Sequence, residues 1–309
     1  MPRERCATIP ASRRLPPRRP SRRGAVPSPA TVATPGAPAS FVVLIPARLA
    51  STRLPDKPLA DIAGKPMIVR VAEQAARSGA ARIVVATDSS RVADAVRLGG
   101  FEVVMTRADH PSGTDRLAEA ASLLGLPDEA IVVNMQGDEP ELPPSLLDDV
   151  ARCLAEDQAC AMATAAHAID QVSDWFNPNV VKVVLDAGGR ALYFSRAPVP
   201  YHRDGLRGLG PQPSGRPGDA HAQEDGALRK ALAAAAPLRH IGLYAYRGRF
   251  LKAYSRMTPT ALEGIEALEQ LRVLFHGFPI KVLVADDAPP AGVDTAADLD
   301  AVRARFRAT

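Results

Sequence analysis

From Phe41 onward the chain alternates short apolar runs with stretches in which apolar residues recur every three or four positions. FVVLIPA (41–47) is apolar throughout, as a strand buried on both faces would be. KPMIVRVAEQAARSG puts Met67, Val71 and Ala75 on one helical face and stops at Gly79. RIVVATD and FEVVMTR are further strands, the first ending at Asp88, with SRVADAVRLGG as a short helix between them. ADHPSGTDR reads as a loop, followed by the helix LAEAASLLG. AIVVNMQGDEP is apolar until it meets Asn134, Gln136, Asp138 and Glu139, and PPSLLDDVARCLAED is a helix opened by prolines. Strand and helix in this order predict an α/β protein with a largely parallel sheet covered by helices on both faces.

The second half is less regular. VVKVVLDAGGRALYFSR predicts a hairpin around Ala187, Gly188 and Gly189. Residues 202–237 are rich in Gly, Pro and Ala and read as a mobile surface insertion. RHIGLYAYR predicts a strand with aromatic residues at alternate sites. ALEGIEALEQLRVLFHG predicts one long helix with Leu262, Ile265, Leu268, Leu271, Val273 and Leu274 on its apolar side. PIKVLVADD is a last strand and DTAADLDAVRARFRA a closing helix. There is no internal repeat.

The 309 residues allow one large α/β domain or two small ones. No apolar run approaches the roughly 18 residues that a membrane span needs. Cys6, Cys153 and Cys160 have no metal-type spacing and fit a reduced, cytoplasmic compartment. The net charge of +4 comes from the first 40 residues, which hold eight Arg and one acid, Glu4. Without them the totals of 38 basic and 34 acidic residues become 30 and 33. A nucleic-acid partner would therefore rest on the tail alone. That tail has almost nothing to bury and reads as a disordered, dispensable extension, 1–40, ahead of a domain spanning 41–309.

In open α/β sheets ligands bind outside the carboxyl ends of the strands. The residues just past the apolar runs are Arg48, Ser51, Arg53 and Lys57; Asp88; the DHPSGTDR loop; Gln136, Asp138 and Glu139; and Asp294. The first group suits a polyphosphate, held by Arg, Lys and turn N–H groups, or is a solvated basic loop. Asp56 beside Lys57 either restrains that lysine or faces solvent. Asp138 suits Mg²⁺, which takes one or two protein carboxylates, or caps the helix that follows. Asp294 precedes a helix and fits an N-cap at least as well as a metal ligand. His110 and His240 are either general bases or structural hydrogen-bonding groups. Glu263, Glu266 and Glu269 would face solvent by default. Neither G-x-G-x-x-G nor a P-loop is present.

Read together, IPARLASTRLPDKPL, GKPMI, VATD, MTRADHPSGTDRLAE, VNMQGDEP, FNPNVVKVV, ALYFSRAPVP, RHIGLYAYR, LEGIEALEQLRVL and GVDT occur in order. From about Ser40 to the C-terminus this series closely resembles the 3-deoxy-manno-octulosonate (Kdo) cytidylyltransferases, also called CMP-Kdo synthetases. The resemblance implies a glycosyltransferase-A-like nucleotidyltransferase fold with a smaller dimerisation and sugar-binding region. It implies the transfer of CMP from CTP to Kdo for lipopolysaccharide synthesis, a Mg²⁺ cofactor held by Asp138 and Asp294, and a homodimer. Arg48, Ser51, Arg53 and Lys57 would hold the phosphates, with Ser112, Thr114 and Arg116 on cytosine and ribose. Gln136 would sit between the two substrates. Arg196, His240, Tyr244, Glu269 and Gln270 would hold the sugar acid. The motifs leave open a related acceptor, such as a sialic acid or 8-amino-Kdo. The tail and the 202–237 insertion lie outside the resemblance.

Overall fold

The computed structural model describes residues 40–49, 54–204 and 221–308. The tail (1–39), Ser51 and Arg53 of the cation loop, and the centre of the insertion (205–220) lie outside them. The first half runs β1 (Phe41–Ala47), a small hairpin of β2 (Asp61–Ile62) and β3 (Lys65–Pro66), α1 (Met67–Ala75), β4 (Arg82–Thr87), α2 (Ser90–Leu98) and β5 (Glu102–Met105). It continues through α3 (Gly113–Leu123), β6 (Ile131–Asn134), α4 (Pro144–Glu156) and β7 (Met162–Ala168). The second half adds α5 (Val172–Phe176), the hairpin β8 (Lys182–Leu185) and β9 (Ala191–Ser195), α6 (His221–Ala235) and β10 (Leu238–Arg247). It ends with α7 (Gly248–Tyr254), α8 (Ala261–Glu266), α9 (Gln270–Phe275), β11 (Ile280–Ala285) and α10 (Ala296–Ala308).

Among the described residues one sheet carries nine strands, in the order β11-β7-β10-β6-β1-β4-β5, with the β8–β9 hairpin attached to β10. β1 pairs in parallel with β4 and β6, β4 with β5, and β7 with β11. β10 is antiparallel to both of its neighbours, β6 and β7, so it alone runs against the rest of this path.

The unbroken apolar character of β1 follows from its central place. Val43 and Ile45 face a core layer built with Met67, Ile68 and Val71 of α1 and Leu147 and Val150 of α4. Leu44 faces the opposite layer, with Leu117 and Ala121 of α3 and Phe250 and Leu251 of α7. Ile45 and Leu44 are both fully buried, each contributing about 1.5–3 kcal/mol.

Three sequence expectations change. The ALEGIEALEQLRVLFHG helix is two short helices, broken where Ala267 adopts a left-handed conformation (φ 50°). Leu262 and Ile265 are exposed as a result, while Leu268, Leu271 and Val273 are buried. The ADHPSGTDR segment is a loop only up to Ser112. Ser112 caps α3 by accepting from the Asp115 N–H, so Gly113 to Arg116 form the first helical turn. The 202–237 segment is not wholly an insertion loop, since its last third is α6. Ala231 and Leu232 of that helix pack with Trp175 of α5 and Ile169 in a small third core.

Candidate active site

Three loops at the carboxyl edge of the parallel strands meet at Lys57, which opens a short 3-10 turn (Lys57–Leu59) beyond β1. Its Nζ lies 2.6 Å from Asp138 Oδ2, beyond β6, and 3.2 Å from Asp294 Oδ1, just before α10. The backbone fixes this meeting. The Val293 N–H donates to the Asp138 carbonyl at 2.8 Å, tying the GVDT loop to the Asp138 loop. A Cβ on Gly137 would sit 2.9 Å from the Pro46 carbonyl, so only glycine lets the Asp138 loop lie across the end of β1. Glu139 is half-buried beside Asp138; desolvation of its carboxyl first, and the neighbouring carboxylate second, push it up to about 8. Asp56 pairs with Arg91 at 2.9 Å and leaves Lys57 to the other two acids.

The pair of carboxylates fits a divalent cation. Asp138 and Asp294, from loops 156 residues apart in sequence, already share one positive group, the Lys57 ammonium, which stands in for a cation there. Oxygen donors and a carboxylate pair are what Mg²⁺ requires, the rest of its shell coming from water and phosphate. Among the described residues no group of three or more His, Cys, Asp or Glu gathers at one point.

Beside this cluster is a cleft of about 210 Å³, lined by Arg48, His110, Ser112, Arg116 and Gln136 among others. Four of the residues expected at the nucleotide thus share one cavity. Arg48 is exposed at its edge, whereas Arg116 is buried at its base. Arg116 Nη1 donates to Thr106 Oγ1 at 2.6 Å and lies 3.1 Å from Asp88 Oδ1, which fixes the guanidinium. Gln136 Nε2 reaches the Gly242 carbonyl at 3.5 Å. Thr114 is turned away from this cleft. It is buried, and its hydroxyl donates to Glu269 Oε1 at 2.9 Å.

Thr114 therefore joins the nucleotide segment to the residues expected at the sugar acid. Tyr244, Glu269 and Gln270 line one tightly packed pocket with it, together with Tyr246 and Tyr254. Burial raises the Glu269 carboxyl, opposed by the Thr114 bond. Gln270 Nε2 is buried with no hydrogen-bond partner among the described residues. His240 lies 5.0 Å from Phe194 and 5.4 Å from Tyr244, ring centre to ring centre, with Nε2 2.9 Å from Thr164 Oγ1. Burial pushes this imidazole down to about 3, so it is neutral and a poor base. His110 is likewise engaged, with Nε2 2.5 Å from Glu119 Oε2.

Arg196 follows β9. Its Nε donates to the Glu266 carbonyl at 2.6 Å, and Nη1 to the Pro178 carbonyl at 2.9 Å. The acids expected to face solvent are engaged instead. Glu266 accepts from Ser195 Oγ and the Arg196 N–H, Glu263 from Arg272, and Glu269 from Thr114. The break at Ala267 lets α9 fold back on α8, so that Arg272 meets Glu263.

Sequence reasoning missed Lys182. It is fully buried, and its ammonium donates to the carbonyls of Asn177, Val180 and Arg196 at 3.0, 2.6 and 2.7 Å. Burial lowers it to about 8. Its place in an apolar run, NVVKVVL, is a signal that could have been used, since a lone lysine there needs buried acceptors.

With Lys57 between two carboxylates at its carboxyl edge, this mixed, mostly parallel sheet flanked by helices is a nucleotidyltransferase fold of the glycosyltransferase-A-like class, as its likeness to a solved synthetase shows. A family model described as cytidylyltransferase matches residues 42–282. The chain belongs to the 3-deoxy-manno-octulosonate cytidylyltransferase family: over 267 residues it is 58% identical to the member from Herminiimonas arsenicoxydans, covering 86% of this chain and 99% of that one. Among solved structures, a CMP:2-keto-3-deoxy-manno-octonic acid synthetase complexed with CTP is similar with a TM-score of 0.74 and 39% identity. That match covers 87% of this chain and 99% of the other. A cytidylyltransferase from Leptospira borgpetersenii serovar Hardjo-bovis shares the fold with a TM-score of 0.52 at 14% identity, over 87% of this chain and 88% of the other. Among the described residues no helix is long and apolar enough to cross a membrane.

Proposed function

We propose that the chain transfers CMP from CTP to Kdo, giving CMP-Kdo and diphosphate. The anomeric hydroxyl of Kdo attacks the α-phosphorus in line, the bond to diphosphate breaks, and the hydroxyl proton passes to solvent. The observation that carries this reading is the meeting of Asp138, Asp294 and Lys57 beside the cleft of Arg48, Ser112, Arg116 and Gln136.

Charge builds on phosphoryl oxygens during the transfer, and Lys57 and Arg48 offer fixed positive groups against it. Ser51 and Arg53 belong to the same loop and would complete the hold on the phosphates. Ser112 and Arg116 at the start of α3, with Thr114 behind them, shape the end of the cleft for cytidine. Asp138 and Asp294 would hold Mg²⁺, which when bound supplies further positive charge and makes the attacking hydroxyl more acidic. Gln136 stands between the nucleotide cleft and β10. On the acceptor side, Arg196 suits the Kdo carboxylate because its planar fork matches two oxygens. Tyr244, Glu269, Gln270 and the neutral His240 offer hydrogen bonds to the sugar hydroxyls. A homodimer is part of the same reading, with exposed Leu192 and Ile265 as side chains that an interface would cover. The use of CTP supports a cytoplasmic activity.

The test is diphosphate release by the purified chain with CTP and Mg²⁺ across a panel of sugar acids. Kdo should give the highest kcat/KM. An equal or higher value for a sialic acid or 8-amino-Kdo would replace Kdo as the acceptor.

A further inference from the structure

The loop before α3 is a thin wall. On one side lies the cleft of about 210 Å³ that holds Arg48, Arg116 and Gln136. On the other is a second cavity of about 440 Å³, bounded by Arg107, Glu119, Lys252 and Arg256. His110 and Pro111 line both cavities. A segment with open space on each face cannot be fixed by packing alone, so its place depends on what ties it.

That tie is Glu119, one and a half turns into α3. Its Oε2 is 2.5 Å from His110 Nε2 and accepts the Arg107 N–H at 2.9 Å. One carboxylate thus gathers both ends of the segment 107–110 against the helix. The His110 side chain is only 4% exposed, and no other described residue bonds its imidazole. Burial would raise the Glu119 carboxyl, but the bonds from His110 and Arg107 hold it below its ordinary value.

We propose that Glu119 is a positioning residue for the nucleotide: through His110 it holds the wall of the cleft that receives CTP. This rests on reading that cleft as the nucleotide site. Glu119 itself does not touch the substrate. Without it the wall is free to move into the second cavity, and the cleft loses its shape while the Asp138–Asp294 cluster and the acceptor pocket keep theirs.

The experiment is calorimetric titration of the purified chain with CTP and Mg²⁺, together with steady-state kinetics. Glu119→Leu should weaken CTP binding about tenfold and raise KM for CTP equally, with kcat and KM for Kdo within twofold of wild type. Glu119→Gln keeps an acceptor of the same shape and should bind CTP within about threefold of wild type, which also covers the case of a misfolded leucine variant. His110→Ala should weaken CTP by a similar factor, and Glu119→Leu on that background should add less than twofold, since the two act as one unit. CTP binding by Glu119→Leu within twofold of wild type overturns the proposal, as do fully additive losses. If Glu119→Leu misfolds, CTP binding by His110→Ala within twofold of wild type overturns it too. Failure of the nucleotide-site reading would look different: the wild-type chain itself would bind no CTP.

Discussion

Replacing Lys57 by methionine separates two consequences that can each be sized. The ammonium has a side chain only 14% exposed and bridges carboxylates that are 34% and 51% exposed, at 2.6 and 3.2 Å. Removing one preorganised positive group from a site where charge develops costs about 2.7–4 kcal/mol of transition-state stabilisation, a factor of about 10²–10³ in kcat. The substitution also leaves Asp138 and Asp294 without their shared partner. Breaking a fully buried pair costs about 3–5 kcal/mol. Solvent reaches both carboxylates here, which brings the cost to about 1–2 kcal/mol. The expected result is a 10²–10³-fold lower kcat at saturating CTP and Kdo, measured by coupled diphosphate release. A lower urea midpoint in metal-free buffer should accompany it. Mg²⁺ should restore stability to the variant more than to wild type, because a cation again neutralises the pair. A kcat within fivefold of wild type would remove Lys57 from the phosphate site. An unchanged urea midpoint would show that the two ion pairs add nothing to the fold.

Arg196→Ala should raise KM for Kdo at least tenfold while KM for CTP changes less than twofold, in initial-rate measurements with each substrate varied in turn; equal rises would move Arg196 out of the acceptor pocket. His240 is held neutral in the folded chain, down to about 3, against an ordinary value near 6.5. The unfolded chain therefore takes up the extra proton below about pH 6.5, and this part of the stability is complete above that pH and lost as pH falls toward 3. His240→Gln keeps a partner for Thr164 and should lose about 1–2 kcal/mol less than wild type between pH 7 and 5 in urea unfolding; parallel losses would mean that His240 is protonated in the folded chain.

The strands β1, β4 and β6 were legible because each is a β-branched run ended by a polar residue, the pattern of a strand buried on both faces, and β5 because its short apolar run at the sheet edge is bounded by polar residues. β7, next to the edge strand β11, left no such mark. Its MATAAHA consists mostly of small side chains, which carry little strand preference. The break at Ala267 was hidden because LEGIEALEQLRVL keeps helical spacing through it, while a capping box of Thr260 and Glu263 fixes α8 from the other end. Within the site, residues close to the strand ends in sequence could be gathered by rule, and Arg48, Ser112, Arg116 and Gln136 do share a cleft. That Lys57 meets both Asp138 and Asp294, and that Thr114 turns toward Glu269, depend on contacts across 81, 237 and 155 positions. No local pattern encodes contacts at that range.

On the seven-strand path of the described sheet the reversed strand, β10, also sets a length scale. It lies against β6 with Tyr244 opposite Asn134, and its register with β7 shifts between Ile241 and Tyr244. The cleft proposed for the nucleotide is lined from the β1 side of β6, by Pro46 to Arg48, and the pocket proposed for the acceptor from the β10 side, by Tyr244 and Tyr246. Reacting atoms need to approach within about 3–3.5 Å, and a strand advances about 3.3 Å per residue. The pairing of β6 with β10 is therefore a ruler graduated in steps as large as the whole reaction distance. Adding or deleting one residue in the irregular stretch of β10 would move His240 a full step relative to Tyr244 and turn its side chain to the other face of the sheet, so that the two could no longer meet one acceptor.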